Sequence, residues 1–346
     1  MKKRSKRYKR KRRIRRIIFL LLILIIGGLG YYAYTNGYFE GKLDNIVKPK
    51  SRLKIVDENS KSRPFAVMID TSDSGRANHT GLQDAYITYE IITEGGITRM
   101  MALFKDQNTS VIGPVRSSRH YFLDYAMEND AIYAHYGYSD RAKNDITSLD
   151  ISNLNGITNA SNSYWRDSNL QAPHNVFTSI AKLKDAAKEL DYEMNTDAGL
   201  LLNYSAKRIS LEDEENSVEA LNIEIPFSYA HTTSYEYSDV KKYYYRSING
   251  EAHVDNKTNE QYHVKNIIIL SVENYSFDDY GRQDLENLGS GDGYFITNGF
   301  AIPITWEKQS RSSKTVYKKL DGTEIKVNDG NTAIEIQPIT QEVSIS

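Results

Sequence analysis

Cysteine is absent from all 346 residues. That excludes a disulfide framework, a zinc–thiolate site, a cysteine nucleophile and a lipid-bearing cysteine. Tryptophan is scarce, 2 residues against 10 Phe and 26 Tyr, so the aromatic surface is tyrosine. Its apolar ring and polar hydroxyl suit half-buried strands and wet surfaces. Also missing are a Gly-x-Ser-x-Gly elbow, a phosphate loop and a His-x-x-Glu-His pattern, and the 7 histidines are scattered. No motif dictates a reaction, and neither a cofactor nor a metal is expected.

Acidic charge is missing from the N-terminal end. Residues 1–16 hold 12 Lys and Arg and no acid, which leaves 32 of the 44 basic residues against all 45 acidic ones in the remainder. A body that acidic excludes broad nucleic-acid binding, while a local basic pocket remains open to it. The basic run is followed by Ile17 to Tyr34, uncharged throughout and just long enough to cross about 30 Å of hydrocarbon. Twelve positive charges before the span, against Lys42 alone in the dozen residues after it, set the N-terminus in the cytoplasm and everything after Tyr34 outside. No small-residue cleavage site follows, so the span reads as an uncleaved anchor whose basic tail grips anionic lipid.

Organisation along the chain then reads as basic tail 1–16, transmembrane helix 17–35, polar tether 36–62 with order beginning at Pro64, a first domain over 63–205 and a second over 206–346. In the first domain, strands are expected at Phe65–Asp70, Tyr86–Thr93, Ile97–Lys105 and Asp130–His135. Glu94-Gly95-Gly96 makes a hairpin turn between the second and third of these. Helices are expected from a cap at Ser117 or Ser118 to Glu128, after Ser139, and from Phe177 to Leu190, with Asn153–Arg166 a polar loop. This predicts an α+β, mixed α/β layer fold. The second domain reads as β-rich, with strands at Leu221–Tyr229, Lys241–Ile248, His263–Val272, Tyr294–Thr297, Ile302–Lys308, Thr315–Leu320 and Thr332–Gln337. Asn249-Gly250, Gly291–Gly293, Asn298-Gly299 and Asp321-Gly322 punctuate them.

Polar groups concentrate between Glu90 and Tyr121. Arg116 and Arg119 stand three apart at an expected helix start, with Ser117 and Ser118 between them, an arrangement that can cradle an anion or brace the fold by pairing with Glu90, Glu94 or Asp124. Arg99 sits among apolar strand neighbours and needs a cleft or a buried partner. Asp70, Glu90 and Glu94 lie near strand ends, where paired carboxylates can do acid–base work. His135 and His174 stand beside turns, positions more typical of hydrogen-bonded structural histidines than of ligands. Trp306 and Tyr243-Tyr244-Tyr245 are candidates to stack on sugars, or simply good strand surface.

Several of these stretches resemble the YerB-like family of bacterial extracytoplasmic lipoproteins. They are Arg63-Pro64 with Ala66–Asp70, Gly81-Leu82, Tyr89-Glu90, Glu94-Gly95-Gly96-Ile97-Thr98-Arg99, Gly113-Pro114-Val115-Arg116-Ser117 with Arg119, and Ala172-Pro173-His174-Asn175. In the second half, Tyr245-Arg246, Asn249-Gly250, Asp255, Lys265-Asn266, Gly289-Ser290-Gly291 and Trp306-Glu307-Lys308 are similar to its companion domain. The resemblance covers about residues 60–340 and implies a Gram-positive envelope protein of two domains, with no catalytic residue to carry over. Without cysteine, the span takes the place of the lipid.

Three functional readings follow. One is a membrane-anchored protein that binds an anionic envelope ligand or a membrane partner through a cleft of Arg99, Arg116, Ser117, Arg119, Glu90, Glu94, Asp70 and His174. The others are a phosphotransferase or hydrolase on a polyprenyl-phosphate-linked precursor, loosely similar in layout to the LytR-CpsA-Psr phosphotransferases, and a structural subunit of a division or sporulation complex.

Overall fold

Phe65–Asp70 (β1) is buried at every residue, a pattern strands show when both faces of their sheet are covered. The sheet continues through Ile87–Ile92 (β2), Thr98–Phe104 (β3), Ile132–His135 (β4) and Asn153–Asn155 (β5). The computed structural model describes Leu53–Ser346, together with Phe19 and Leu21, which are helical and exposed. Leu53–Ser346 is one compact unit. The basic tail, the expected span Ile17–Tyr34 and the tether as far as Arg52 otherwise lie outside the described residues. Among the described residues no helix is long and apolar enough to cross a membrane.

Folded structure is already present at Leu53, ahead of Pro64. Leu53 and Val56 are buried, and the Asp329 carboxylate accepts from the Lys54 and Ile55 amides. Two apolar anchors in a Lys-rich segment are too few for a periodicity to reveal.

The second half contributes Asn222–Ser228 (β6), His231–Ser238 (β7), Tyr243–Ile248 (β8), Asn266–Val272 (β9), Gly289–Thr297 (β10), Phe300–Lys308 (β11), Val316–Lys319 (β12) and Thr332–Pro338 (β13). Both halves share one 11-stranded sheet in the order β12-β11-β10-β9-β13-β2-β3-β1-β4-β5, with the short strand Val218–Glu219 beside β11. The joint is β13, which runs parallel to both β9 and β2. A smaller sheet built on β8-β7-β6 stands apart from it.

Alternation along the strands sorts the core. Met68, Tyr89, Met101, Ile268 and Ile334 face the helix His120–Glu128 (α2) through Tyr121, Phe122 and Tyr125. Val67, Ile69 and Met100 face the helix Ile180–Glu189 (α4) through Leu183 and Ala187. Ile267, Ile269 and Ala333 pack on Ile223, Ile225, Phe227 and Tyr235 of the smaller sheet. The architecture is mostly β with few helices. Within Leu53–Ser346 the other two α-helices are Asp73–Arg76 (α1) and Asp140–Ser148 (α3), the latter capped by Ser139 accepting from the Ala142 amide.

Three local expectations give way. The polar stretch 153–166 forms β5 and the strand Tyr164–Arg166, which pairs with Val176–Thr178, so the last helix starts only at Ile180 under its Ser179 cap. The strand β7 is rich in Thr, Ser and Tyr, and its polarity hides it. Gly291 to Gly293 are not a turn but lie inside β10, in register with Trp306 and Ile304. A Cβ on Gly291 would overlap the Trp306 indole, and one on Gly293 would overlap the Ile269 carbonyl. A backbone neighbour cannot step aside without breaking the ladder. Gly293→Ala should therefore lower stability by about 1–3 kcal/mol, the usual range for overpacking, read as a lower urea midpoint at unchanged m-value.

Candidate functional site

Arg99 stands on β3 in register with Asp70 on β1 and Ile91 on β2. Paired residues share a face, so the Arg99 and Asp70 side chains leave the sheet on the α2 side. The turn after β2 places Glu94 there as well. Gly95 and Gly96 adopt φ of 76° and 74°, a left-handed pair that a side chain would oppose. Glu94 then receives a two-pronged ion pair from Arg119, through Nε at 2.9 Å and Nη2, and lies 3.5 Å from Arg99 Nη2. Arg99 also donates to the Ser117 carbonyl at 2.8 Å, and Arg119 to the Ser118 carbonyl at 3.0 Å and to Ser117 Oγ. Burial draws the Arg99 guanidinium down to about 10, with the Arg116 charge adding to it.

Asp70, 2% exposed, is the centre of a second set. Its Oδ2 lies 2.6 Å from His174 Nδ1 and 3.3 Å from Arg116 Nε, and its Oδ1 accepts from Ser72 Oγ at 2.7 Å and the Ser72 amide at 3.1 Å. Burial alone would raise this carboxyl, but Arg116, His174 and Ser72 together hold it below its usual value. A Cβ on Gly75 would overlap the Asp70 carboxylate, so α1 approaches it by having none. His174 spends Nδ1–H on Asp70, and its Nε2 has no partner among the described residues. Arg116 makes only its ion pair, and its two terminal amino groups are unpartnered among the described residues. Its side chain is 23% exposed.

Arg116 and Arg119 do not flank a helix start. The helix begins at His120 with Arg119 as an extended N-cap, and the preceding segment is pinned as strand-like chain by bridges Ile69–Val115 and Ser118–Tyr138. Consecutive side chains there point apart, which is why the two arginines serve different carboxylates. Asp124 pairs instead with Arg311 at 2.6 Å.

Glu90 is not part of this site. It is in register with Met100, one residue from Arg99, and so leaves the opposite face of the sheet. There Oε2 lies 2.5 Å from Arg246 Nη2 and accepts from Thr233 at 2.7 Å, while Oε1 accepts from Thr98 and lies 2.9 Å from His231 Nε2. The neighbouring strand adds Glu335, whose Oε1 accepts from Tyr235 at 2.6 Å. One guanidinium faces two carboxylates. Despite burial, Arg246 and His231 hold Glu90 well below its usual value, whereas burial and the Glu90 charge hold Glu335 well above it.

From Arg246 the polar chain runs back toward Asp70. Arg246 Nη1 reaches His253 Nδ1, His253 Nε2 lies 2.7 Å from His79 Nδ1, and His79 Nε2 meets the Asp70 carbonyl. Guanidinium donates only and carbonyl accepts only, so both imidazoles must be neutral with the proton on Nε2. Burial pushes His79 down to about 4 and His253 well below its ordinary value. No local spacing in the sequence marks His79, His231, Thr233, Arg246, His253 or Glu335. They meet only because β7 and β8 pack across β2, β3 and β13.

The remaining candidates are structural. His135 is buried and bonded to the Gly137 carbonyl at 2.7 Å and to Asn153 Oδ1. Trp306 and Tyr244 are buried, the former over Gly291, so neither offers a face to a sugar. Among the described residues no group of three or more His, Asp and Glu is placed to hold a metal ion.

Residues 52–193 match the family described as "Protein of unknown function (DUF3048) N-terminal domain", and residues 223–334 match its C-terminal domain. A relative from Bacillus subtilis (strain 168), named "Putative lipoprotein YerB", is 29% identical over 301 residues, which cover 86% of this chain and 88% of the relative. The crystal structure of YerB from Bacillus subtilis superposes with a TM-score of 0.73 at 30% identity, over 83% of this chain and 94% of that one.

Proposed function

Because this chain belongs to the YerB-like family, whose paired domains carry the name DUF3048, we propose that it is an extracytoplasmic envelope protein that captures a phosphate-bearing envelope ligand at Arg116. The name of its Bacillus relative, "Putative lipoprotein YerB", describes a lipid-anchored protein. With no cysteine to acylate, the run Ile17–Tyr34 and the basic tail would hold this chain at a membrane surface, gripping anionic lipid. The observation that carries the ligand reading is the contrast among the three arginines. Arg99 and Arg119 are committed to Glu94 and to backbone carbonyls, while Arg116 keeps two terminal amino groups free beside an ionised Asp70. A guanidinium fork of that kind grips phosphate in a bidentate manner.

The test is thermal unfolding of the full chain with pyrophosphate or a short-chain polyprenyl phosphate. A ligand at 100 times its Kd adds about 2.7 kcal/mol, and Arg116→Ala should abolish that gain. The variant itself should remain folded, because Asp70 keeps His174 and Ser72. A shift that survives Arg116→Ala would sink the reading. Arg119→Ala differs in kind, since it leaves Glu94 only the 3.5 Å contact with Arg99 and should cost stability without ligand.

A second reading, a hydrolase or phosphotransferase on the same class of ligand, is favoured by one observation. Asp70 orients His174 through Nδ1 and leaves Nε2 free, the arrangement a general base needs. Ser72 stands on the Nδ1 side and is not placed as its nucleophile. Phosphate release from a polyprenyl pyrophosphate that His174→Gln suppresses would support this reading, and turnover unaffected by that change would remove it.

A further inference from the structure

Two cavities meet where the halves of the chain are stapled together, and Arg116 lines neither. One, of about 570 Å³, lies between the segments Thr80–Asp84 and 108–111 and the loop 255–262. The other, of about 340 Å³, is lined by Trp165, Asp167, Leu170, Phe177, Asn78 and Asn256. They share Thr80, Val111 and Lys257, so they form one trough. Cavities of this size are typical of small-ligand sites.

The walls are fixed before any ligand arrives. Asp255 accepts from the Gly81 amide at 2.7 Å, Tyr262 Oη at 2.8 Å and the Lys257 and Thr258 amides. The Asn256 amide donates to the His79 carbonyl at 2.8 Å, and its Nδ2 to the Ala77 carbonyl at 2.7 Å. A loop from the second half is thus locked onto a loop of the first, and a ligand need not pay for ordering either.

Its chemistry is an aromatic plate with an unspent polar rim. Trp165 is half-buried and stacked on Phe177, centroids 6.3 Å apart at 27°. Trp165 Nε1 and the side-chain polar groups of Asn108, Ser110, Lys257 and Glu260 have no partner among the described residues. Lys257 is the one cation lining the trough, against Asp84, Asp167, Asp255 and Glu260, so it is not built for phosphate. Nor is it an apolar slot. A pyranose fits this pattern, since its C–H face lies against the electron-rich face of an indole while its hydroxyls take up carboxylate, amide and ammonium groups.

We propose that this trough binds a short stretch of uncharged or N-acetylated sugar chain, with Trp165 as its stacking platform. The inference does not need Arg116 to bind phosphate and stands on separate residues.

Trp165 and Trp306 are the two tryptophans of the chain, and Trp306 is buried, so emission changes on ligand addition report the trough. The full chain, in a detergent free of sugar, is titrated with N,N′,N″,N‴-tetraacetylchitotetraose and with cellotetraose. The expected result is a saturable emission change with at least one of the two, unaltered by Trp306→Phe and by Arg116→Ala. Calorimetry should show binding weakened at least about tenfold, equivalent to about 1.4 kcal/mol, by Trp165→Leu. Should that variant fail to fold, the surface double variant Lys257→Ala/Glu260→Ala decides, with the same weakening expected. No saturable signal up to about 10 mM, the weak limit of specific recognition, overturns the proposal. So does undiminished affinity in the folded trough variant, or binding that depends on Arg116.

Discussion

Arg246→Met should destabilise the protein by about 3–5 kcal/mol, the usual cost of stranding one member of a buried ion pair. Arg246 and Glu90 are 3% and 1% exposed, so bulk solvent does not reach either side chain to take over a lost partner. Without the guanidinium, Glu90 keeps hydrogen bonds from the Thr98 and Thr233 hydroxyls and its contact with His231, but loses its permanent counter-charge. The variant's loss should be largest at neutral pH and shrink in mild acid, where Glu90 takes up a proton. Adding Glu90→Gln should recover part of it, and the recovered part is the penalty of the unpaired charge. Urea midpoints of the four members of this cycle measure it. A single variant as stable as the parent would mean that water reaches the cluster.

That cluster also shows what could be read from the chain beforehand. The hairpin through Gly95-Gly96 was legible, and with it the register that sets Glu90 opposite Met100 and Ile91 opposite Arg99. Strand alternation alone therefore separates Glu90 from Arg99, a signal carried by the sequence that grouping by proximity overrides. The partner of Arg99 was legible only as a need, because an arginine among apolar strand neighbours must be paired. Asn249-Gly250 and Asn298-Gly299 form their turns with both residues at positive φ, as the dipeptides demand. The insertion of β13 between β2 and β9 was not legible. It joins segments more than two hundred positions apart, and a buried run such as Ala333–Ile336 fits any covered sheet equally well. Nor was the late start of α2. Ser117 and Ser118 look like caps, but a strand-like bridge to Tyr138 and the Arg99 bond to the Ser117 carbonyl claim that backbone first.

Acid should unfold the protein well before its carboxylates titrate. His79 and His135 are pushed down to about 4 by burial, against an ordinary value of 6.5, and His253 is pushed well below that ordinary value. Between those limits the unfolded chain binds protons that the folded chain refuses, so stability rises with pH and falls as pH drops from about 6.5 toward 4. Glu335 acts in the opposite sense. It is held protonated in the fold above its ordinary value of 4.5, and so costs less as pH falls toward that point. Burial lowers His120 as well and raises Asp124, so four histidines against two carboxyls leave a net uptake of about two protons on unfolding, about 2.7 kcal/mol per pH unit at its steepest. Asp70 and Glu90, both held below their usual values, add their own losses only below about pH 4. The measurement is the urea midpoint from pH 8 to pH 4. It should be flat above about 7 and then fall steeply, and His79→Gln, whose amide can still donate to the Asp70 carbonyl, should remove about one proton from the slope. A profile flat down to pH 5 would show that these rings are charged in the folded protein. The neutral relay from Arg246 to the Asp70 carbonyl would then be wrong, because an imidazolium has no lone pair with which to accept from its neighbour.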